Sequence, residues 1–140
     1  MEKIIDRFLR YVSVDTRSDE NSSSQPSTAK QLNLLKMLRD ELNAMGVEAV
    51  LDEYGYVMGS IPSNIDKKVP AIGFISHVDT APDASGANVK AQIIENYDGS
   101  PIALKGVEGL FLDPADFPEI LAHKGETIIT TDGTTLLGAD

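Results

Sequence analysis

The run Ala71-Ile72-Gly73-Phe74-Ile75 does not alternate between apolar and polar residues. A strand with one wet face switches with period two, so a run apolar throughout predicts a strand covered on both faces, as in the middle of a mixed or parallel sheet. Such a sheet needs helices, and two are legible ahead of the run. Ile4, Ile5, Phe8, Leu9 and Val12 recur at helical spacing and predict an amphipathic helix from residue 2 to about 13. Leu35, Leu38, Leu42 and Met45 make a second stripe, broadened by Leu32 and Leu34, and predict a helix over about 27 to 45. Thr28-Ala29-Lys30-Gln31 matches a capping box at its start, and Gly46 stands where a helix end takes a left-handed residue. The intervening stretch 15–26 is polar and aperiodic and reads as an exposed loop. Short strands are expected near Ala49–Leu51 and Tyr56–Ile61, with Tyr54-Gly55 in the turn. Helices followed by strands predict an α/β fold.

Beyond Pro82 the pattern is less regular. Ile93-Ile94 and Ile102-Ala103-Leu104 read as short strands separated by the turn signal Asp98-Gly99. Asp113-Pro114 opens a short helix through Leu121 or Ala122, with Gly125 after its end. Thr127-Ile128-Ile129-Thr130 and Thr134-Thr135-Leu136-Leu137 flank Asp132-Gly133, a two-residue turn signal that predicts a hairpin. No internal repeat and no linker composition interrupts the chain.

Charge and composition exclude several function classes. The formal net charge is −10, from 22 acidic against 12 basic residues, whereas nucleic-acid binding needs clustered Lys and Arg and an anionic membrane surface attracts them. No nucleic-acid and no membrane partner is therefore expected. With no cysteine in the chain, a metal must be held by His, Asp or Glu, and thiol chemistry is impossible. Charges occupy the positions where a signal peptide would be apolar (Glu2, Lys3, Asp6, Arg7), and no stretch approaches the ~20 apolar residues of a membrane span. A cytoplasmic protein is the simplest expectation.

The chemistry concentrates at the end of the two-faced run, in Ser76-His77-Val78-Asp79-Thr80. Open α/β sheets bind ligands beyond the carboxyl ends of their strands. Residues two apart in extended backbone share a face, so His77 and Asp79 should lie on one side. An imidazole held by a carboxylate through its second nitrogen is a common zinc-ligand arrangement. On spacing alone, a histidine near a strand end is more often a hydrogen-bonded structural residue than a metal ligand. His123, beside Lys124 at a polar helix end, reads as a surface residue. Gly73-Phe74-Ile75-Ser76 lacks the second half of a serine nucleophile elbow, and no phosphate-binding glycine loop is present.

Three segments together carry a family resemblance. Pro70-Ala71-Ile72-Gly73-Phe74-Ile75-Ser76-His77-Val78-Asp79-Thr80 resembles the first metal motif of the peptidase T group of zinc exopeptidases. Thr130-Thr131-Asp132-Gly133-Thr134-Thr135-Leu136-Leu137-Gly138-Ala139-Asp140 resembles the second, and Phe8-Leu9-Arg10-Tyr11-Val12-Ser13-Val14-Asp15-Thr16 is similar to the family's opening. The resemblance implies an α/β fold of the zinc-exopeptidase (phosphorylase/hydrolase-like) type, a mixed sheet flanked by helices. It implies that His77 binds one zinc, that Asp140 bridges two zinc ions, and that Asp79 is the catalytic-site carboxylate steadying the imidazole of His77. The implied reaction is hydrolytic removal of the amino-terminal residue from tripeptides.

The same resemblance implies that residues 1–140 are an incomplete amino-terminal portion of the catalytic domain. The general base, the remaining ligands, the lid or dimerisation domain and the carboxy-terminal half of the catalytic domain are not in this sequence, which contains no Glu-Glu pair. The isolated chain is accordingly expected to bind zinc weakly, to be inactive alone, and to self-associate through uncovered strand edges. Two alternatives remain at this point. One is a dipeptidase or carboxypeptidase of the same metalloenzyme class, and the other is a non-catalytic binding module with the same fold.

Overall fold

The structure, a computed structural model, describes residues 2–138. They fall into two compact units, Thr16–Pro82 and Met1–Asp15 together with Asp83–Asp140.

In the unit Thr16–Pro82, helix α2 spans Gln31–Ala44 and buries Leu34 and Leu35. The strands that follow, β1 (Glu48–Leu51) and β2 (Val57–Ser60), pair antiparallel from Glu48 opposite Ser60 to Leu51 opposite Val57. Helix α2 packs on this hairpin. Asp52 closes its turn, the carboxylate accepting the N–H groups of Tyr54 at 3.0 Å and Tyr56 at 2.7 Å. The helix end is tied to the hairpin by Asn43. Its amide donates to the carbonyls of Arg39 and Ala49, and its Oδ1 accepts the N–H of Ala49 at 3.2 Å. Gly46 takes φ +84°, the left-handed conformation expected of it after the helix.

The start of α2 departs from expectation. Thr28 does not close a capping box; its hydroxyl donates to the carbonyl of Arg17 at 2.8 Å, and residues 29–30 form a turn before the helix begins. The loop ahead of it is also less exposed than its polarity predicts. Thr16 is buried, and Arg17 forms a parallel bridge with Thr80. A polar loop side chain is drawn inward because its backbone finds partners that are distant in sequence, which composition does not reveal.

The second unit begins with helix α1, Ile4–Val12. Arg10 grips Glu2 through two hydrogen bonds, Nε to Oε1 at 3.1 Å and Nη2 to Oε2 at 2.7 Å. Strand β3 (Ala91–Ile94) pairs antiparallel with β6 (Ile128–Thr131), and β4 (Ile102–Ala103) with β5 (Phe111–Leu112). A 3-10 helix, Pro118–His123, lies between β5 and β6. The core is Tyr97, Ile102 and Ile120, with Ile94, Leu112 and Ile128 packed against them.

Two expectations fail here. The hairpin around Asp132-Gly133 is not formed: β6 takes β3 as its partner, and residues 134–138 contain no strand. Helical structure after Pro114 is limited to a turn at 114–116 and the 3-10 segment. The described residues are therefore α/β, with strands paired only in twos. None of their helices is long and apolar enough to cross a membrane.

Candidate functional site

The segment carrying His77 is the main departure from the sequence reading. Residues 71–75 form no strand, and Ile72, Phe74 and Ile75 are 83%, 97% and 101% exposed. No described strand pairs with them, and a Cβ on Gly73 would meet nothing within 4 Å. A run built for burial on both faces gains its strand conformation from neighbours on both sides. Those neighbours are not among the described residues.

The far end of the segment is nevertheless pinned. Thr80 donates its N–H to the carbonyl of Thr16 at 3.2 Å, and the Thr80 carbonyl accepts both the N–H and the hydroxyl of Ser18 at 2.9 Å. The Arg17 guanidinium donates from Nε and Nη2 to the carbonyl of Pro82. His77 and Asp79 sit just ahead of this anchor. Nothing in the polar composition of 15–18 announces it, and only the pairing with Thr80 makes it visible.

His77 and Asp79 do meet. The Nδ1 of His77 lies 2.9 Å from the Asp79 backbone oxygen and 3.2 Å from its Oδ1. With the proton on Nδ1, the imidazole donates to both oxygens and the ring is held in one tautomer. Both side chains are more than half exposed, so the carboxylate orients the ring in a solvated setting. His123 lies on the surface as expected, its Nδ1 2.9 Å from Glu126 Oε2. Among the described residues no group of three or more His, Cys, Asp or Glu side chains could hold a metal. Asp140, the other expected ligand, lies outside the described residues.

The stretch leading toward Asp140 is ordered by Asp132, which sequence reasoning placed in a hairpin turn. Asp132 is buried, and its Oδ1 accepts the N–H of Thr134 at 3.0 Å and the hydroxyl of Thr134 at 2.5 Å. The Lys90 ammonium stands 3.7 Å from Oδ2. These donors, those of Thr134 foremost, hold the Asp132 carboxyl below the usual carboxylate range.

No protein-family model matches the chain. Individual relatives do, and they are peptidases. A peptidase T of Desulfitobacterium hafniense is 57% identical over 140 residues, covering 100% of this chain and 34% of that protein. One of Clostridium acetobutylicum is 58% identical over 141 residues, covering 100% and 35%. One of Halothermothrix orenii is 55% identical, again covering 100% and 35%. The chain belongs to the peptidase T family, and it spans about a third of the length of the curated relatives it matches.

Proposed function

We propose that residues 1–140 form the amino-terminal part of the catalytic domain of a zinc-dependent aminopeptidase that removes the first residue of tripeptides. The observation that carries this reading is identity of 55–58% along the whole chain to proteins named peptidase T, with both motif segments inside the matched region. The sheet that would cover residues 71–75 and the lid domain belong to the part of the protein beyond these residues.

The imidazole of His77 and the carboxylate of Asp140 are donor types that would suit a zinc ion. Asp79 occupies the Nδ1 side of the His77 ring, which makes Nε2 the nitrogen that would bind zinc, and Asp140 would share its two oxygens between two ions. When bound, the ions supply Lewis acidity toward a water and a peptide carbonyl. Asp79 keeps the imidazole in one tautomer and one orientation, so that His77 does not have to reorganise. The isolated chain contributes only these ligands and is inactive by itself. Its uncovered run at 71–75 makes a second copy of the chain its readiest partner.

The test uses the full-length protein, zinc-loaded and zinc-stripped, with a tripeptide, the same tripeptide N-acetylated, and a dipeptide. The reading expects turnover of the free tripeptide only, lost on stripping and restored by zinc. Asp79→Asn should lower kcat/KM by about 10- to 100-fold, the usual cost of disturbing a carboxylate behind a ligating histidine. Equal hydrolysis of the acetylated peptide, or turnover that survives complete metal removal, would refute it.

A further inference from the structure

We propose that Asp132 is a positioning residue for the metal site, its buried carboxylate clamping the turn from which the chain runs on to Asp140. The inference rests on the reading of Asp140 as a metal ligand.

A carboxylate removed from water is costly unless donors replace its hydration. Asp132 is 6% exposed and meets this need within its own surroundings. Oδ1 takes both donors of Thr134, and Oδ2 faces Lys90. Its backbone is held as well: the Asp132 carbonyl accepts the N–H of Gly106 at 2.7 Å. The approach is so close that a Cβ on residue 106 would stand 2.5 Å from both Cγ and Oδ2 of Asp132, a contact no larger residue could make unchanged. Gly133 follows at φ +90°, donating its N–H to Thr131 Oγ1 at 3.0 Å. A Cβ there would also press on Leu110 and Leu104, at 2.9 Å and 3.0 Å. Further on, the N–H of Leu136 bonds the carbonyl of Ser85 at 3.0 Å.

Residues 131–136 are thus tied down by hydrogen bonds from several sides, and three donors converge on a single carboxylate. The described stretch ahead of Asp140 is held where β6 ends, and Asp132 is the group to which most of these ties run. A ligand carboxylate misplaced by even an ångström loses metal affinity and rate together. Asp132 itself touches neither metal nor substrate in this scheme; it acts through the turn.

The experiment titrates zinc into metal-free full-length protein by calorimetry for wild type, Asp132→Ala, Asp132→Asn, Thr134→Val and the ligand variants His77→Ala and Asp140→Ala. Circular dichroism and the urea midpoint of each metal-free protein are recorded alongside. Asp132→Ala is expected to weaken zinc binding by about 10- to 100-fold. Asp132→Asn keeps an oxygen acceptor for Thr134 and should recover most of the loss. Thr134→Val removes one donor without burying an orphaned charge, and it should weaken binding less than Asp132→Ala in a protein that folds normally. If Asp132→Ala fails to fold, the pair Asp132→Asn and Thr134→Val decides. Wild-type zinc affinity in Thr134→Val and in a folded Asp132→Ala, with affinity lost in the ligand variants, overturns the inference and leaves the proposed function standing. A wild-type protein that binds no zinc, or ligand variants that bind it normally, overturns the proposed function and this inference with it.

Discussion

At the residue scale the two carboxylates of most interest differ in how far sequence could find them. Asp79 was legible because residues two apart in extended backbone face one way, and it does reach His77 Nδ1. Asp132 carries only the local signal of a turn dipeptide; Lys90 and Gly106, which help to bury and hold it, come from segments more than 20 residues away and leave no local trace. Its chemistry has a consequence in acid. The Thr134 donors lower the Asp132 carboxyl, and the Ser100 hydroxyl and N–H, at 2.6 and 2.8 Å, lower Asp98. Both groups are acids depressed in the folded state, so their stabilisation is complete above the unfolded value of about 3.9 and is lost as pH falls through the lower folded values. Urea midpoints should therefore drop on acidification below about pH 4, and Asp132→Asn should flatten that decline relative to wild type. An acid limb of unchanged slope in the variant would show that Asp132 does not contribute to it.

Among the elements, α2 was the most legible and still shifted in detail. The predicted stripe of Leu35, Leu38, Leu42 and Met45 is covered only in part: Met45 lies just past the helix and is exposed, and the buried positions are Gln31, Leu34 and Leu35. Periodicity locates a face, and tertiary contact decides which part of that face is covered. Leu35→Ala should cost about 2–5 kcal/mol, and Asn33→Ala, on the exposed side, less than about 0.5 kcal/mol. Chemical denaturation of both variants checks this. The β1–β2 hairpin was equally legible, because its pairing is local. The hairpin expected around Asp132-Gly133 failed for the complementary reason. An Asp-Gly dipeptide permits a tight turn but does not compel one, and β6 pairs with β3, Thr131 standing opposite Ala91, 40 residues earlier, with Ile94 and Ile128 packed on the core beside Tyr97.

For the whole molecule, the decisive feature is the uncovered run at 71–75. Phe74 and Ile75 are fully solvated, and the uncharged segment from Ala71 to Ser76 has the length and composition that favour strand pairing between copies. Light scattering of the 140-residue chain should show mass rising with concentration, and Phe74→Lys should return it toward the monomer. A wild-type chain that stays monomeric across that range would count against self-association. In the full-length protein the same substitution should impair folding, since the position would then be covered on both faces.

The local sequence determined what depends on neighbours a few residues apart: the two helices, the β1–β2 turn, the left-handed Gly46, and the meeting of His77 with Asp79. These follow from spacing of 3.6 or 2 residues and from the conformations particular side chains allow. Tertiary structure alone decided the partner of β6, the burial of Asp132 against Gly106 and the anchoring of Thr80 by residues 16–18. Each of these joins segments far apart in the chain, where loop closure and burial select among pairings that the local pattern leaves equivalent.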